Sequence, residues 1–156
     1  DGMTIRDYIA AYNKTFGYVE QKYGTEALAD LFAAISREYC AHLDECIREG
    51  GVEGCMKYWG GDGGTLSREK IDFRAWMEDG VFHGQIRNCT SVADVRSRGQ
   101  EPYVGQLTYC DHCDALYGPV AAKYGIELRF SPEYNEDGTC AGNCTWYAKK
   151  REAEEQ

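Results

Sequence analysis

The sequence predicts an α+β domain in which an N-terminal helix pair and later helices cover one face of a roughly four-stranded antiparallel sheet. Apolar residues recur at helical spacing through about the first fifty positions, and two later segments alternate apolar and polar residues. Helical and hairpin segments therefore follow one another as helices, hairpin, helices, hairpin. At 156 residues the chain is long enough for one core, so we expect a single domain over 1–150 and a charged tail at 151–156.

Two amphipathic helices are predicted at the start of the chain. The first carries apolar side chains at helical spacing from Ile5 to Tyr23, with Thr4 as its N-cap and Gly24 as its stop. The second is expected to run without a break over residues 25–50 until glycines end it. The two helices are expected to pack against each other.

A glycine-rich segment and a hairpin are predicted next. Glycine dominates residues 50–64, which we expect to form a mobile linker or a loop over a pocket, with "CMKYW" as a short helical turn within it. Residues 71–77 then alternate apolar and polar side chains, Asp79-Gly80 forms a turn, and residues 81–89 run back as the second strand.

The second half of the chain predicts two helices and a second hairpin. The segment "TSVADVRS" suits a short helix capped by Thr90 or Ser91, and Pro102 suits the first turn of a longer helix over residues 103–124. The segments "IELRF" and "CTWYAKK" alternate as strands around a turn-rich connection.

Charge and cysteine content limit the partners and the compartment. The net charge is -9, and the pI is near 4.8, so the surface repels nucleic acid and anionic membranes. No apolar run is long enough for a membrane span. The expected partner is therefore a small molecule. Eight cysteines invite a disulfide framework, but the chain has helices enough for a core, which favours reduced thiols in a cytoplasm over export with disulfides.

The stretch "TYCDHCDALYGP" at residues 108–119 concentrates groups that can do chemistry, and it has three interpretations. A zinc site would use four thiolates at compatible spacing: Cys110, Cys113, Cys140 and Cys144. A redox pair requires C-x-x-C at a helix N-terminus, whereas a helix starting at Pro102 would place this pair about two turns inside.

The third interpretation is a reactive pocket around Asp114. On a helix over 103–124, Asp114 lies in the middle of an apolar stripe, where a carboxylate requires a partner or a wet cavity. Cys110 lies one turn earlier on the same face, and His112 is expected to point away on the opposite side. The alternative is that Asp114 makes a structural polar contact while the cysteines pack as small apolar residues.

Three further residues are candidates for contact with a substrate. Tyr117 shares the face of Asp114 on the predicted helix. His42 and Cys46 stand at i,i+4 on the apolar side of the second helix, although a histidine there is also common as a structural core residue.

The segments "NCTSVADV", "TYCDHCDALYG", "IELRF" and "GTCAGNCTWYAKK" together resemble the L-2-amino-thiazoline-4-carboxylic acid hydrolase family. Their order is also similar to vinyl-reductase-type and TRAPP-like small-molecule-binding folds, which implies helices packed on an antiparallel sheet. The resemblance covers about residues 70–150 and points to four site positions: Cys89, Cys110, Asp114 and Cys144. Cys113 and Cys140 are additional cysteines without a counterpart in that pattern.

The function expected from these observations is hydrolysis of a small, sulfur-containing heterocycle or an amidine-like C–N bond, without a cofactor. A thiolate of Cys110 or Cys89 would attack the electrophilic carbon while Asp114 positions or protonates the ring nitrogen. The alternative is a non-enzymatic, cysteine-rich domain that binds zinc or a small apolar ligand.

Overall fold

The computed structural model describes residues 2–61, 64, 66 and 72–153, which fold as an α+β domain. Its helices are α1 (Ile5–Tyr23), α2 (Thr25–Tyr39), α3 (Ala41–Gly50), α4 (Val52–Cys55), α5 (Thr90–Ser97) and α6 (Asp111–Ala122). Its strands are β1 (Asp72–Glu78), β2 (Val81–Arg87), β3 (Ile126–Tyr134) and β4 (Cys140–Lys150). The predicted fold class is confirmed.

Helix α1 has the predicted bounds because its ends are capped. The Asp7 backbone N–H donates to the Thr4 hydroxyl, and the Asp7 carboxylate accepts from the Thr4 backbone N–H at 2.8 Å. This reciprocal capping box satisfies two backbone donors that the first turn leaves unpaired. Gly24 ends the helix with φ 98°, a conformation that favours glycine.

The second predicted helix is broken at Cys40, so the prediction of one continuous helix was wrong. The break lets the two halves serve different cores. Phe32 of α2 packs with Phe16 of α1, whereas Leu43 and Ile47 of α3 pack in the core against the sheet. One straight helix presents a single apolar stripe, so it could not bury both sets.

The predicted linker contains the helical turn expected at "CMKYW", but the helix extends over residues 52–60, so this part is not a mobile loop. Helix α4 continues into a π-helical turn at Met56–Gly60, and Trp59 within it is only 4 % exposed. Its indole ring stacks on the Phe82 ring, with centroids 5.8 Å apart, and meets the Trp146 ring edge-on. A large buried aromatic side chain anchors this segment despite its glycines. Residues 62 and 63 of the predicted linker lie outside the described residues.

The four strands form one antiparallel sheet in the order β1-β2-β4-β3. The predicted turn joins β1 to β2, with positive φ angles at Asp79 (51°) and Gly80 (78°), as two-residue hairpin turns require. Strand β2 ends at Arg87, two residues earlier than predicted. Asn88, with φ 52°, turns the chain so that Cys89 becomes the N-cap of α5 rather than a strand residue.

Helices cover one face of this sheet in two layers. Inward-facing side chains of the sheet, among them Phe82, Leu128 and Trp146, share a core with α3, α4 and α6. Helices α1 and α2 form the outer layer, and their own cluster includes Tyr109, just before α6. No helix in the described segments has the apolar length needed to cross a bilayer.

Candidate functional site

Helix α6 begins at Asp111, so the prediction of a helix from Pro102 was wrong. A loop precedes it, and the Glu20 carboxylate of α1 holds that loop by accepting from the backbone N–H groups of Gln106 and Leu107, both at 3.0 Å. The Tyr103 hydroxyl also donates to Glu20, at 2.6 Å. These side-chain contacts satisfy the loop's donors without helical bonds.

The start of α6 is fixed by a second reciprocal pair. The Thr108 backbone N–H donates to the Asp111 carboxylate at 2.7 Å, and the Asp111 N–H donates to the Thr108 hydroxyl at 3.3 Å. Cys110 is consequently at the N-cap of α6, and Cys113 is in its first turn. The C-x-x-C pair therefore lies at a helix N-terminus, contrary to the expectation that placed it two turns inside.

Four cysteines from three segments line one small cavity of about 60 Å³ beside this helix terminus: Cys89, Cys110, Cys113 and Cys144. The cavity also touches Tyr109, His112, Pro132 and Gly142. A volume of this size holds a few water molecules. Three cysteines predicted for the site, Cys89, Cys110 and Cys144, thus face the same space.

Strand β4 holds Cys89 in place at the cavity wall. The Cys89 backbone N–H donates to the Gly142 carbonyl at 2.7 Å, and the N–H of Asn88 donates to the Asn143 side chain at 3.3 Å. Gly142 has φ 95°, which other residues rarely adopt. The glycine in "AGNC" therefore shapes the wall that brings Cys89 and Cys144 together.

His112 lies on the same cavity as Cys110, which corrects the expectation that it points away. Its Nδ1 bonds the Tyr109 carbonyl, so Nδ1 carries the proton and Nε2 is a free acceptor. Nε2 is 3.8 Å from the Cys113 sulfur, within the range of a thiol hydrogen bond. Burial lowers the pKa of His112, so the imidazole is neutral at neutral pH.

The cavity thiols are protonated at neutral pH. Burial raises the pKa of Cys113 to about 12 and that of Cys144 to about 12. Burial also raises the pKa of Cys89, against hydrogen bonds from the backbone N–H groups of α5. Cys113 and His112 therefore form a neutral thiol–imidazole pair.

Cys110 has a closer partner in Cys140, the first residue of β4. Their sulfur atoms are 2.6 Å apart, with the Cys110 thiol donating to Cys140. This hydrogen bond lowers the pKa of Cys140, assisted by the Arg96 guanidinium, which donates to the Cys140 carbonyl at 2.5 Å. The same bond and burial raise the pKa of Cys110. The pKa of Cys140 is therefore the lower of the two, so the pair loses its first proton from Cys140.

Asp114 lies outside this cavity, so the prediction of a buried carboxylate beside Cys110 was wrong. Its side chain is 37 % exposed, accepts from the Phe130 backbone N–H at 3.1 Å, and lies 3.6 Å from the Arg129 guanidinium. It lines a separate open groove together with Pro119 and Arg151. Asp114 therefore lies on the face of α6 that packs against β3, where its carboxylate ties helix to strand.

The three residues predicted to contact a substrate lie elsewhere. His42 is exposed and packs on the Tyr58 ring, with centroids 5.4 Å apart. Cys46 is buried in α3. Tyr117 meets the Trp59 ring edge-on at 5.5 Å within the core. The structure brings none of the three to the cavity.

The four cysteines predicted as alternative zinc ligands are not arranged around a metal position. Among the described residues, no group of three or more cysteine, histidine or acidic side chains has the geometry to hold an ion. Two thiolates on one tetrahedral zinc would be about 3.8 Å apart, given Zn–S bonds of ~2.3 Å. The separation of 2.6 Å between Cys110 and Cys140 is shorter than that.

The comparisons with known proteins add no relative. No protein-family model matches the chain, no curated protein matches it, and no solved structure matches it. The resemblance of its motifs to the thiazoline hydrolase family stays a prediction.

Proposed function

We propose that the chain is a small-molecule hydrolase in which Cys113, with His112 as its base, attacks an electrophilic carbon bound in the thiol-lined cavity. The observation that carries this proposal is the distance of 3.8 Å from His112 Nε2 to the Cys113 sulfur, with Nδ1 occupied by the Tyr109 carbonyl. A nucleophile within reach of a base, and a base oriented by a third group, is the arrangement that nucleophilic catalysis requires. The sequence resemblance supports the same reaction class.

Because the Cys113 thiol and the His112 imidazole are both neutral, the reaction begins with a proton transfer between them. As the Cys113 sulfur bonds to the carbon of an amidine-like group, its proton passes to His112 Nε2. The imidazolium then returns that proton to the leaving nitrogen as the C–N bond breaks. A water molecule, losing a proton to Nε2, adds to the same carbon, and departure of the Cys113 sulfur with that proton restores the thiol.

The cavity favours a small reacting group. Its volume of about 60 Å³ accommodates few atoms, and its walls include four sulfur atoms besides Pro132 and Val92. Soft, apolar walls suit a sulfur-containing ring. Asp114 has no part in this chemistry, since it lies in the other groove.

The test measures turnover of a panel of small thiazolines and cyclic amidines by the wild type and by matched variants. Cys113→Ala is expected to abolish hydrolysis, and His112→Gln to lower kcat by about 10²–10⁴-fold. The controls His42→Gln and Asp114→Asn are expected to retain wild-type kcat. Full activity of the Cys113→Ala variant with a confirmed substrate would exclude this nucleophile.

The burial of the thiols favours a second candidate function, reversible binding of a small apolar ligand. A thiol with a pKa of about 12, as Cys113 and Cys144 have, is an inert apolar wall until a base takes its proton. Saturable binding of a panel compound without turnover, lost when Cys144 is enlarged to Phe, would favour this function over hydrolysis.

A further inference from the structure

We infer that Cys110 and Cys140 form a reversible dithiol–disulfide couple that exchanges with small-molecule disulfides. This activity does not depend on the proposed hydrolysis, because it uses neither Cys113 nor His112, although Cys110 lines the same cavity. It also differs from a C-x-x-C couple, because the partner of Cys110 comes from β4 rather than from its own helix.

The two sulfur atoms are already close to bonding distance. Their separation of 2.6 Å is about 0.6 Å longer than a disulfide bond of ~2.05 Å. Cys113, in contrast, has its sulfur directed at the His112 ring. Proximity therefore selects Cys140 over Cys113 as the partner of Cys110.

Both ends of the pair are held by the surrounding structure. The Thr108–Asp111 capping pair fixes the turn that carries Cys110. The Arg96 guanidinium, itself ion-paired to Glu101 at 3.1 Å, holds the Cys140 carbonyl. The sulfur atoms have to approach by only about 0.6 Å to bond, so these two backbone segments can stay where they are held.

Access determines the order of the steps. Cys140 is fully buried, whereas Cys110 is half-buried and faces the cavity. Once Cys140 has lost its proton to solvent, the Cys110 thiol passes its own proton to the Cys140 sulfur and attacks a small disulfide, which forms a mixed disulfide and releases one small thiolate. The released thiolate takes the proton from Cys140. The Cys140 sulfur then attacks the Cys110 sulfur and expels the second small thiolate, so two electrons pass to the small disulfide.

The test exposes the native protein to oxidised glutathione and follows its intact mass and its cross-linked peptides. Loss of two hydrogen atoms, with the cross-link mapped to Cys110 and Cys140, is the expected result, reversed by reduced glutathione. The Cys140→Ser variant is expected to stop at one glutathione on Cys110. The Cys110→Ser variant is expected to remain unmodified at Cys140.

The matched control is Cys40→Ser, which replaces another buried cysteine whose sulfur lies near a carbonyl, that of Leu116. This variant is expected to oxidise like the wild type. A cross-link mapped to Cys110 and Cys113 would overturn the inference. So would a native protein that keeps all its thiols in excess oxidised glutathione, or a Cys110→Ser variant that still loses two hydrogen atoms.

Discussion

Proton positions decide what each side chain in the cavity can do. The Tyr109 carbonyl holds the proton of His112 on Nδ1, and burial keeps the ring neutral. Burial likewise keeps Cys113 protonated, with its pKa raised to about 12. The site therefore holds a base and a thiol that carry no charge at neutral pH, although each residue type is often charged when it is reactive.

The buried imidazole makes the stability of the fold depend on pH. Its folded pKa is lowered, so between that value and the ordinary histidine pKa of ~6.5 the unfolded chain binds more protons than the folded chain. Stability should therefore fall as the pH drops below about 6.5, by up to ~1.4 kcal/mol per pH unit. Urea unfolding of the wild type, His112→Gln and His42→Gln measures this slope.

The slope should be reduced in His112→Gln and retained in His42→Gln, whose histidine is exposed. If the slope is instead unchanged in His112→Gln, a group other than His112 causes the pH dependence of the stability.

Gly84 in β2 is a position where one methyl group should matter. A Cβ there would lie 2.3 Å from the Trp146 ring, which stacks on Phe130 at 5.4 Å and cannot retreat. Gly84→Ala should cost about 1–3 kcal/mol through overpacking, seen as a lower urea midpoint. Gly50→Ala is the matched control, because a Cβ at Gly50 meets nothing within 4 Å. Equal stability of both alanine variants would contradict this view of the core.

At the scale of elements, local sequence patterns predict where a helix starts, whereas contacts between residues far apart in the chain could not be predicted from them. The T-x-x-D pattern at Thr4 predicted the start of α1, and the same pattern at Thr108 marks the start of α6. The sequence nevertheless predicts an earlier start for α6, because Pro102 suits the first turn of a helix and the apolar periodicity continues through the loop. His112 was predicted to point away from Cys110, but the cavity lies at the N-terminus of α6, where residues on different sides of the helix reach the same space.

The loop before α6 depends on a contact that no local pattern contains. Glu20 accepts from Tyr103, Gln106 and Leu107, which lie more than eighty positions along the chain. The break at Cys40 is similar, since it follows from the two cores that α2 and α3 serve. Sequence periodicity shows which face of a helix is apolar, but it does not show whether that face packs in one hydrophobic cluster or in two.

Replacing Glu20 with Gln tests whether this contact fixes the loop. An amide oxygen can accept fewer of these bonds and carries no charge, so we expect a loss of about 1–3 kcal/mol. Amide hydrogens of residues 103–110 should exchange faster, as followed by mass spectrometry. The exposed Glu26→Gln is the control and should leave both quantities unchanged. Unchanged exchange in Glu20→Gln would mean that other contacts hold the loop, such as the bond from the Tyr103 N–H to the Asn13 side chain at 2.7 Å.

At the scale of the whole molecule, the cavity lies where both helix layers meet the sheet. Cys113 and His112 come from the helix on the sheet, Phe16 of the outer layer lies 5.6 Å from the His112 ring, and Cys144 comes from the central strand β4. The fold class was predictable because each element carries its own periodicity. The pairing of Cys110 with Cys140 was not, because it depends on the packing of α6 against the end of β4.

That pairing connects chemistry to the stability of the whole domain. Cys110 and Cys140 are 30 positions apart, and the segment between them contains α6, β3 and the turn that follows. Closing a loop of this length removes conformational freedom from the unfolded chain, which stabilises the fold by roughly 3–4 kcal/mol in the chain-entropy treatment. Oxidation should add this stability with little change in the folded structure, because the sulfur atoms already touch.

The measurement compares urea unfolding of the wild type before and after treatment with oxidised glutathione. The midpoint should rise on oxidation and return on reduction, while Cys140→Ser shows no rise. The denaturant slope should also fall, since a cross-linked unfolded chain exposes less surface. A midpoint that falls on oxidation would mean that forming the bond distorts the junction of α6 and β4, and the couple would then act by loosening the cavity wall rather than by securing it.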